Sequence, residues 1–297
     1  MIGRHCFAFL AFILPVSIVP VSAAHAAGPP SITVDGLQRT YLIEVPKTPG
    51  PKPTIILFHG LGGTAAGAAG GSGLVKLGQQ QGFVAVFPNG IAHQWNHFLP
   101  GKIPPVYAQR AQAAGVTNIA EWNDIDFVNN LIADLVQRGI SDPKRIYLAG
   151  FSAGGFMVMR MACLEADKFA AVALISSSMP VPEGAECKPS QPLPIEIEKG
   201  TADDHVPFNG GLVLDKTFTV WSADQLTAFF TKLDGCSTPA ATSQMAGVNG
   251  HTIDVSSWTD CAAGPVTFYK ENGGVHAIFK VPDPGPTLWN FFKDHSR

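Results

Sequence analysis

Charge is scarce in this chain. Only 14% of its residues are charged, and its 20 Lys and Arg do not outnumber its 23 Asp and Glu. Nucleic acid and anionic membranes are bound through a basic excess, so neither is expected as a partner. Close cysteine pairs are also missing. None of the five cysteines falls at C-x2-C spacing, so no metal site is expected. Beyond the N-terminus there is no apolar run long enough to span a bilayer. Internal repeats, low-complexity tails and Pro/Ser linkers are absent too, which leaves a single domain as the economical reading.

The N-terminus itself is informative. Arg4 and His5 precede an apolar stretch from Phe7 to about Val21, and Ala24-His25-Ala26 fits a small-residue cleavage site. That is the plan of a secretory signal peptide over residues 1–26, followed by a catalytic domain over residues 27–297. Pro15 and Pro20 disfavour a stable spanning helix in the stretch. The expected location is therefore outside the cytoplasm, extracellular or periplasmic. Cys6 leaves with the signal, so Cys163, Cys187, Cys236 and Cys261 remain. An even number in an oxidising compartment predicts two disulfides. Of the three possible pairings, the nearest-neighbour one is preferred: Cys163 with Cys187 and Cys236 with Cys261.

Strand-length apolar runs recur at 54–58, 83–87, 145–149, 170–175, 194–198 and 266–269, with a further strand at 39–46. Uninterrupted apolar runs of this length suit strands buried on both faces of a parallel sheet. Helical patterns lie between them, at 74–81, from 123, at 153–166, at 222–233 and at 286–295. Ile125, Val128, Ile132 and Leu135 make one such stripe, with Asp124 and Asp126 near its dipole-positive start. The alternation predicts an α/β fold, a mostly parallel sheet with helices on both faces. Residues 59–73 read as a Gly/Ala-rich loop. Residues 89–120 have no clear period, and a loop so long in a compact domain is usually functional.

The chemistry centres on Gly150-Phe151-Ser152-Ala153-Gly154. G-x-S-x-G is weak by itself, but here it directly follows an apolar strand and opens a helix, the setting of a nucleophile elbow. A serine hydroxyl is a poor nucleophile without a base, so a histidine and an orienting carboxylate are required. In the α/β-hydrolase fold these follow in the order Ser, Asp or Glu, His, each after a strand. Gly200-Thr201-Ala202-Asp203-Asp204-His205 supplies the acid, with Asp203 preferred over Asp204 because it directly follows the tight turn. His276, after Gly273-Gly274-Val275, is the expected base, and the glycines suggest a mobile loop. His205 is a rival that adjoins the acid loop and does not easily reach across. His251 reads as a surface residue. His93 and His97 lie in the irregular segment, as surface residues or substrate contacts. The oxyanion requires two backbone N–H donors, expected from Ala153 and from Leu61 in His59-Gly60-Leu61-Gly62-Gly63, with His59 bracing that loop.

Taken together, the chain resembles the polyhydroxybutyrate depolymerase and feruloyl esterase group of α/β-hydrolases. The resemblance is carried by Leu57-Phe58-His59-Gly60, Gly82-Phe83-Val84-Ala85-Val86-Phe87-Pro88, Trp95-Asn96, Asp124-Ile125-Asp126-Phe127, the elbow, and Gly200-Thr201-Ala202-Asp203 through Val206-Pro207 to Gly210-Gly211. It implies a Ser152, Asp203, His276 triad, a disulfide from Cys236 to Cys261, and an ester substrate handled without metal or organic cofactor. Trp95, Phe98 and Tyr107 are candidates to line the substrate pocket, Trp95 foremost. Two features depart from the group. Its usual Thr-Trp-Pro-Gly after the histidine is Ala277-Ile278-Phe279-Lys280 here, and the segment from His97 to Glu121 is longer, as if to form a partial lid. No polymer-binding module is expected after the catalytic domain. The expected activity is hydrolysis of hydroxyalkanoate esters through an acyl-enzyme. Feruloyl-type aromatic esters are the first alternative, a serine peptidase on the same fold the second, and a non-catalytic binding protein the third.

Overall fold

The computed structural model describes residues 29–237, 240–278 and 283–297. The expected signal peptide and the departing Phe279-Lys280 lie outside the described residues.

Among the described residues, twelve strands are present in chain order: β1 (Ser31–Val34), β2 (Leu37–Glu44), β3 (Lys52–Phe58), β4 (Val84–Pro88), β5 (Ser141–Phe151), β6 (Ala171–Ile175), β7 (Ile195–Gly200), β8 (Gly211–Leu212), β9 (Thr219–Val220), β10 (Ala241–Ala246), β11 (Thr252–Trp258) and β12 (Val266–Asn272). Ten of them form one sheet in the order β1-β2-β4-β3-β5-β6-β7-β12-β11-β10, and β8 pairs with β9 separately. The six strands from β4 to β12 are mutually parallel, while β1, β2, β11 and β10 are added antiparallel at the two margins.

Among the described residues, eight α-helices accompany them: α1 (Ala65–Gly71), α2 (Leu74–Gln81), α3 (Pro105–Ala113), α4 (Asp124–Gln137), α5 (Ala153–Glu165), α6 (Val181–Glu186), α7 (Ala223–Leu233) and α8 (Pro284–Phe292). They cover both faces, as predicted. Period-two alternation sends Ile56, Phe58, Val84, Val86, Leu148 and Val172 to one face, where α4, α5 and α7 bury Phe127, Leu131, Met157, Leu226 and Phe230 against them. Ile55, Leu57, Ala85, Phe87, Tyr147 and Ala173 meet α1, α2 and α8 on the other. Burial on both faces is why these strands read as unbroken apolar runs.

The structure corrects the sequence reading at two loops. The Gly/Ala-rich stretch contains α1, capped by Thr64, whose hydroxyl accepts from Gly67 N–H at 3.0 Å. The irregular segment contains α3 and a small core of its own, in which Phe98, Tyr107, Ala111, Val116 and Trp122 are buried together. An ion pair of Arg39 with Asp124, both side chains shielded from water, fastens this segment to β2 and α4, and Asp124 also accepts from Asn96 N–H at 2.6 Å. Asp124 is thus a buried counter-ion as well as a first-turn carboxylate of α4.

Both disulfides have the preferred pairing. Cys163–Cys187 ties α5 to the residue after α6, and Cys236–Cys261 ties the end of α7 to the β11–β12 connection. Among the described residues no helix is long and apolar enough to cross a membrane.

Candidate active site

Ser152 stands between β5 and α5 with φ 53° and ψ −119°, a conformation that side chains rarely adopt and that recurs at functional sites. The neighbouring glycines are required by contact. A Cβ on Gly154 would lie 2.2 Å from Phe58 O, and one on Gly150 would lie 2.3 Å from the Gly154 carbonyl carbon. Only glycine permits that approach, so the elbow motif has a steric basis.

Two loops from neighbouring parallel strands bring in the partners. Asp203 follows β7 and His276 follows β12, adjacent in the sheet. His276 Nε2 is 2.9 Å from Ser152 Oγ, and its Nδ1 is 2.9 Å from Asp203 Oδ2. Asp203 Oδ1 also accepts from the N–H groups of His205 and Val206 at 2.9 and 2.8 Å. Burial by itself pushes the Asp203 carboxyl up. The bond to His276, the Lys199 ammonium 3.8 Å away and the Val206 N–H outweigh it and hold the pKa below the usual carboxylate value. Lys199, fully buried, is itself pushed down to about 8 by its burial, although Asp203 opposes the shift. Asp204 points to solvent instead, its side chain 77% exposed.

The glycines before His276 suggest a mobile loop, but here they permit close contact with the acid loop. A Cβ on Gly200 would lie 2.3 Å from Gly274 O. Ala202 N–H donates to Gly274 O, Gly273 N–H to Thr201 Oγ1, and Thr201 N–H to Glu271 O, each within 2.9 Å. Sequence reading passed over Ser176, Ser177 and Ser178, at the end of β6. Their buried hydroxyls donate to Ala277 O, Ser152 O and Trp221 O, linking the histidine loop, the elbow and the segment after β9.

Leu61 and Ala153, the expected oxyanion donors, line a cavity of about 290 Å³ beside Ser152. Leu61 N–H has no hydrogen-bond partner among the described residues. Ala153 begins α5, where helix N–H groups are unpaired and the dipole favours negative charge. His59 braces the Leu61 loop as expected. Its Nε2 accepts from Gly90 N–H at 3.0 Å, which assigns the proton to Nδ1, 2.7 Å from Gly60 O. Burial lowers its pKa, consistent with a neutral ring.

Trp95 is the main correction. It does not line the cavity. It is fully buried, edge-on to Phe58, and its Nε1 donates to His59 O at 2.8 Å, so it supports the Leu61 loop from behind. Phe98 is buried as well, and of the long segment only Tyr107 reaches the cavity. The remaining wall is Phe151, Phe156 and the 205–218 segment with Val213, Leu214, Asp215 and Phe218. Tyr107 spans the two sides by donating to Asp215 at 3.1 Å. His97 is neither a surface nor a cavity residue. It is fully buried among Phe98, Phe156 and Phe218, and that burial, followed by Arg160, lowers its pKa to about 3. His251 is 3.2 Å from Glu271 beneath the histidine loop, rather than free at the surface. A second cavity, of about 210 Å³ and apolar, adjoins the first across Gly60, Leu61 and Phe151. A larger open groove between α7 and the β10–β12 edge has a mixed lining that includes Thr227, Ser243, Asp254, Trp258, Phe268 and Lys270, and no histidine.

Comparison with known proteins places the family and the fold. Residues 40–232 match the phospholipase/carboxylesterase family. The chain belongs to that family. Its fold is the α/β-hydrolase fold. Feruloyl esterase B of Piromyces equi is 30% identical over 82% of this chain and 42% of its own length. Poly(3-hydroxyalkanoate) depolymerase C of Paucimonas lemoignei is 30% identical over 43% of this chain and 28% of its own. The esterase thus spans less than half the length of either relative. The solved acetyl xylan esterase from Aspergillus awamori shares the fold, with a TM-score of 0.61 at 15% identity over 90% of this chain and 99% of that one.

Proposed function

We propose that this esterase is a secreted hydrolase of carboxylic esters acting through an acyl-enzyme. Ser152 attacks the ester carbonyl carbon while His276 takes the serine proton. Asp203 holds the imidazole in the tautomer that presents a bare Nε2. The N–H groups of Leu61 and Ala153 receive the oxyanion. His276 then gives its proton to the leaving alcohol, and water repeats the sequence on the acyl-enzyme. The observation that carries the reading is the unbroken hydrogen-bonded line from Asp203 through His276 to Ser152, opening on a cavity. Secretion is supported by the N-terminal pattern and the two disulfides.

For the substrate, hydroxyalkanoate esters of the polyhydroxybutyrate type are the leading reading. One feature favours the alternative of feruloyl-type aromatic esters: Phe151, Phe156, Tyr107 and Phe218 give the cavity aromatic walls. The test is initial rates on p-nitrophenyl butyrate, methyl ferulate and a soluble 3-hydroxybutyrate oligomer. Turnover that Ser152→Ala reduces to background supports the triad, and the preferred ester names the substrate class. No turnover on any ester, or full activity in Ser152→Ala, would refute it.

A further inference from the structure

His205 has no part in proton transfer as described above, yet it touches two triad members at once. Its backbone N–H donates to Asp203 Oδ1 at 2.9 Å. Its imidazole lies flat on that of His276, with centroids 4.5 Å apart and planes only 7° from parallel. It also lines the cavity that holds Ser152. Parallel stacking matters here because the hydrogen bonds at the two nitrogens of His276 fix its in-plane direction but leave the ring free to rock about that line. Phe151 touches the same ring only at a tilt, 5.1 Å away and 37° from parallel.

On the reading that Ser152, His276 and Asp203 act as a triad, we propose that His205 is a positioning residue. Its neutral ring holds the His276 imidazole in the plane shared by Asp203 and Ser152, and a proton on His205 disables that support. When His276 takes the serine proton it becomes an imidazolium. A neutral flat ring beside it is compatible with that charge, but a second imidazolium at 4.5 Å repels it. Among the described residues, the charged and titratable groups around the pair come from two loops and β7. Asp203 and Asp204 come from the same loop, the latter 2.7 Å from His205 Nδ1, where it would be the counter-ion of such a proton. Lys199 of β7 is held behind Asp203, and Asp215 lies across the cavity. The pH dependence of turnover therefore reads whether a charge on His205 weakens the stack.

The experiment is the pH profile of kcat and kcat/KM on p-nitrophenyl butyrate for the full chain and for His205→Ala, His205→Phe and Asp204→Asn. In the alkaline plateau His205→Ala loses kcat by about tenfold, because the base is less well aligned, with a much smaller change in KM. His205→Phe, which keeps a flat ring, recovers most of that loss. Both His205→Phe and Asp204→Asn hold activity to lower pH than the wild type, and the phenylalanine variant falls off with a single protonation. If the alanine variant does not fold, the other two carry the test. Wild-type kcat in His205→Ala, or a wild-type acid limb in His205→Phe, overturns the proposal. Hydrolysis that survives Ser152→Ala overturns the triad reading beneath it, so the two failures are distinguishable.

Discussion

Gly154 has no space for a methyl group, because the atom blocking it is the backbone oxygen of Phe58, 2.2 Å from an ideal Cβ. Backbone does not swing aside as a flexible side chain would. Gly154→Ala is therefore expected to destabilise the fold by about 3 kcal/mol, the upper part of the usual overpacking range. It should also displace the Leu61 loop, which continues from Phe58. A urea midpoint alongside kcat/KM checks both effects, and an alanine variant of wild-type stability would remove the steric argument for the elbow. Asp203 makes the complementary case, because its role is orientation. Asp203→Asn should lower kcat by about 10⁴ through the wrong histidine tautomer, with the fold intact by circular dichroism. A loss below tenfold would mean that His276 does not depend on Asp203. The glycines and the acid were legible in the sequence, since the motif and the Gly-Thr-Ala turn name them. His205 was legible only as a neighbour of the acid.

Among the elements, the central strands were the most readable, because burial on both faces leaves a short unbroken apolar run. The β10–β11 hairpin was not. Every residue of β10 is exposed, so nothing in its composition distinguishes it from loop. Helix α3 was also missed. Its only buried residues are Tyr107 and Ala111, one turn apart, too narrow a stripe to show as a period. The disulfides work at this scale. Cys163–Cys187 closes a sequence separation of 24 residues and clamps α5, the helix that begins immediately after Ser152. Replacing both cysteines by serine is expected to cost about 3 kcal/mol, through loss of the constraint on the unfolded chain. The shift in urea midpoint of the double variant measures it. No shift would mean that α5 is held by packing alone.

For the whole molecule, the strand that delivers Asp203 is an electrostatic liability. Glu198 on β7 is fully buried. That burial, followed by the nearby Glu271, pushes its carboxyl up to about 8 from an ordinary 4.5. A folded-state pKa above the unfolded one favours folding below about pH 4.5, and that contribution is lost as pH rises to 8. Glu198→Gln mimics the neutral form. It should match the wild type near pH 4.5 and gain in melting temperature as pH is raised to 8. Equal melting temperatures across that range would show that Glu198 ionises freely. At this scale the division of information is clear. The sequence by itself determined the alternation of strands and helices, the serine elbow, the Ser-Asp-His order and the even number of cysteines after the expected cleavage site. Each of these is written in short-range spacing or in residue type. Only the tertiary structure decided that Trp95 turns inward, that Phe218 and Asp215 face Tyr107 across the cavity, that three serines join three loops and that His205 lies flat on His276. Those contacts join segments tens to more than a hundred residues apart. Their existence depends on which loops the strand order brings to the same end of the sheet, and no local period encodes that.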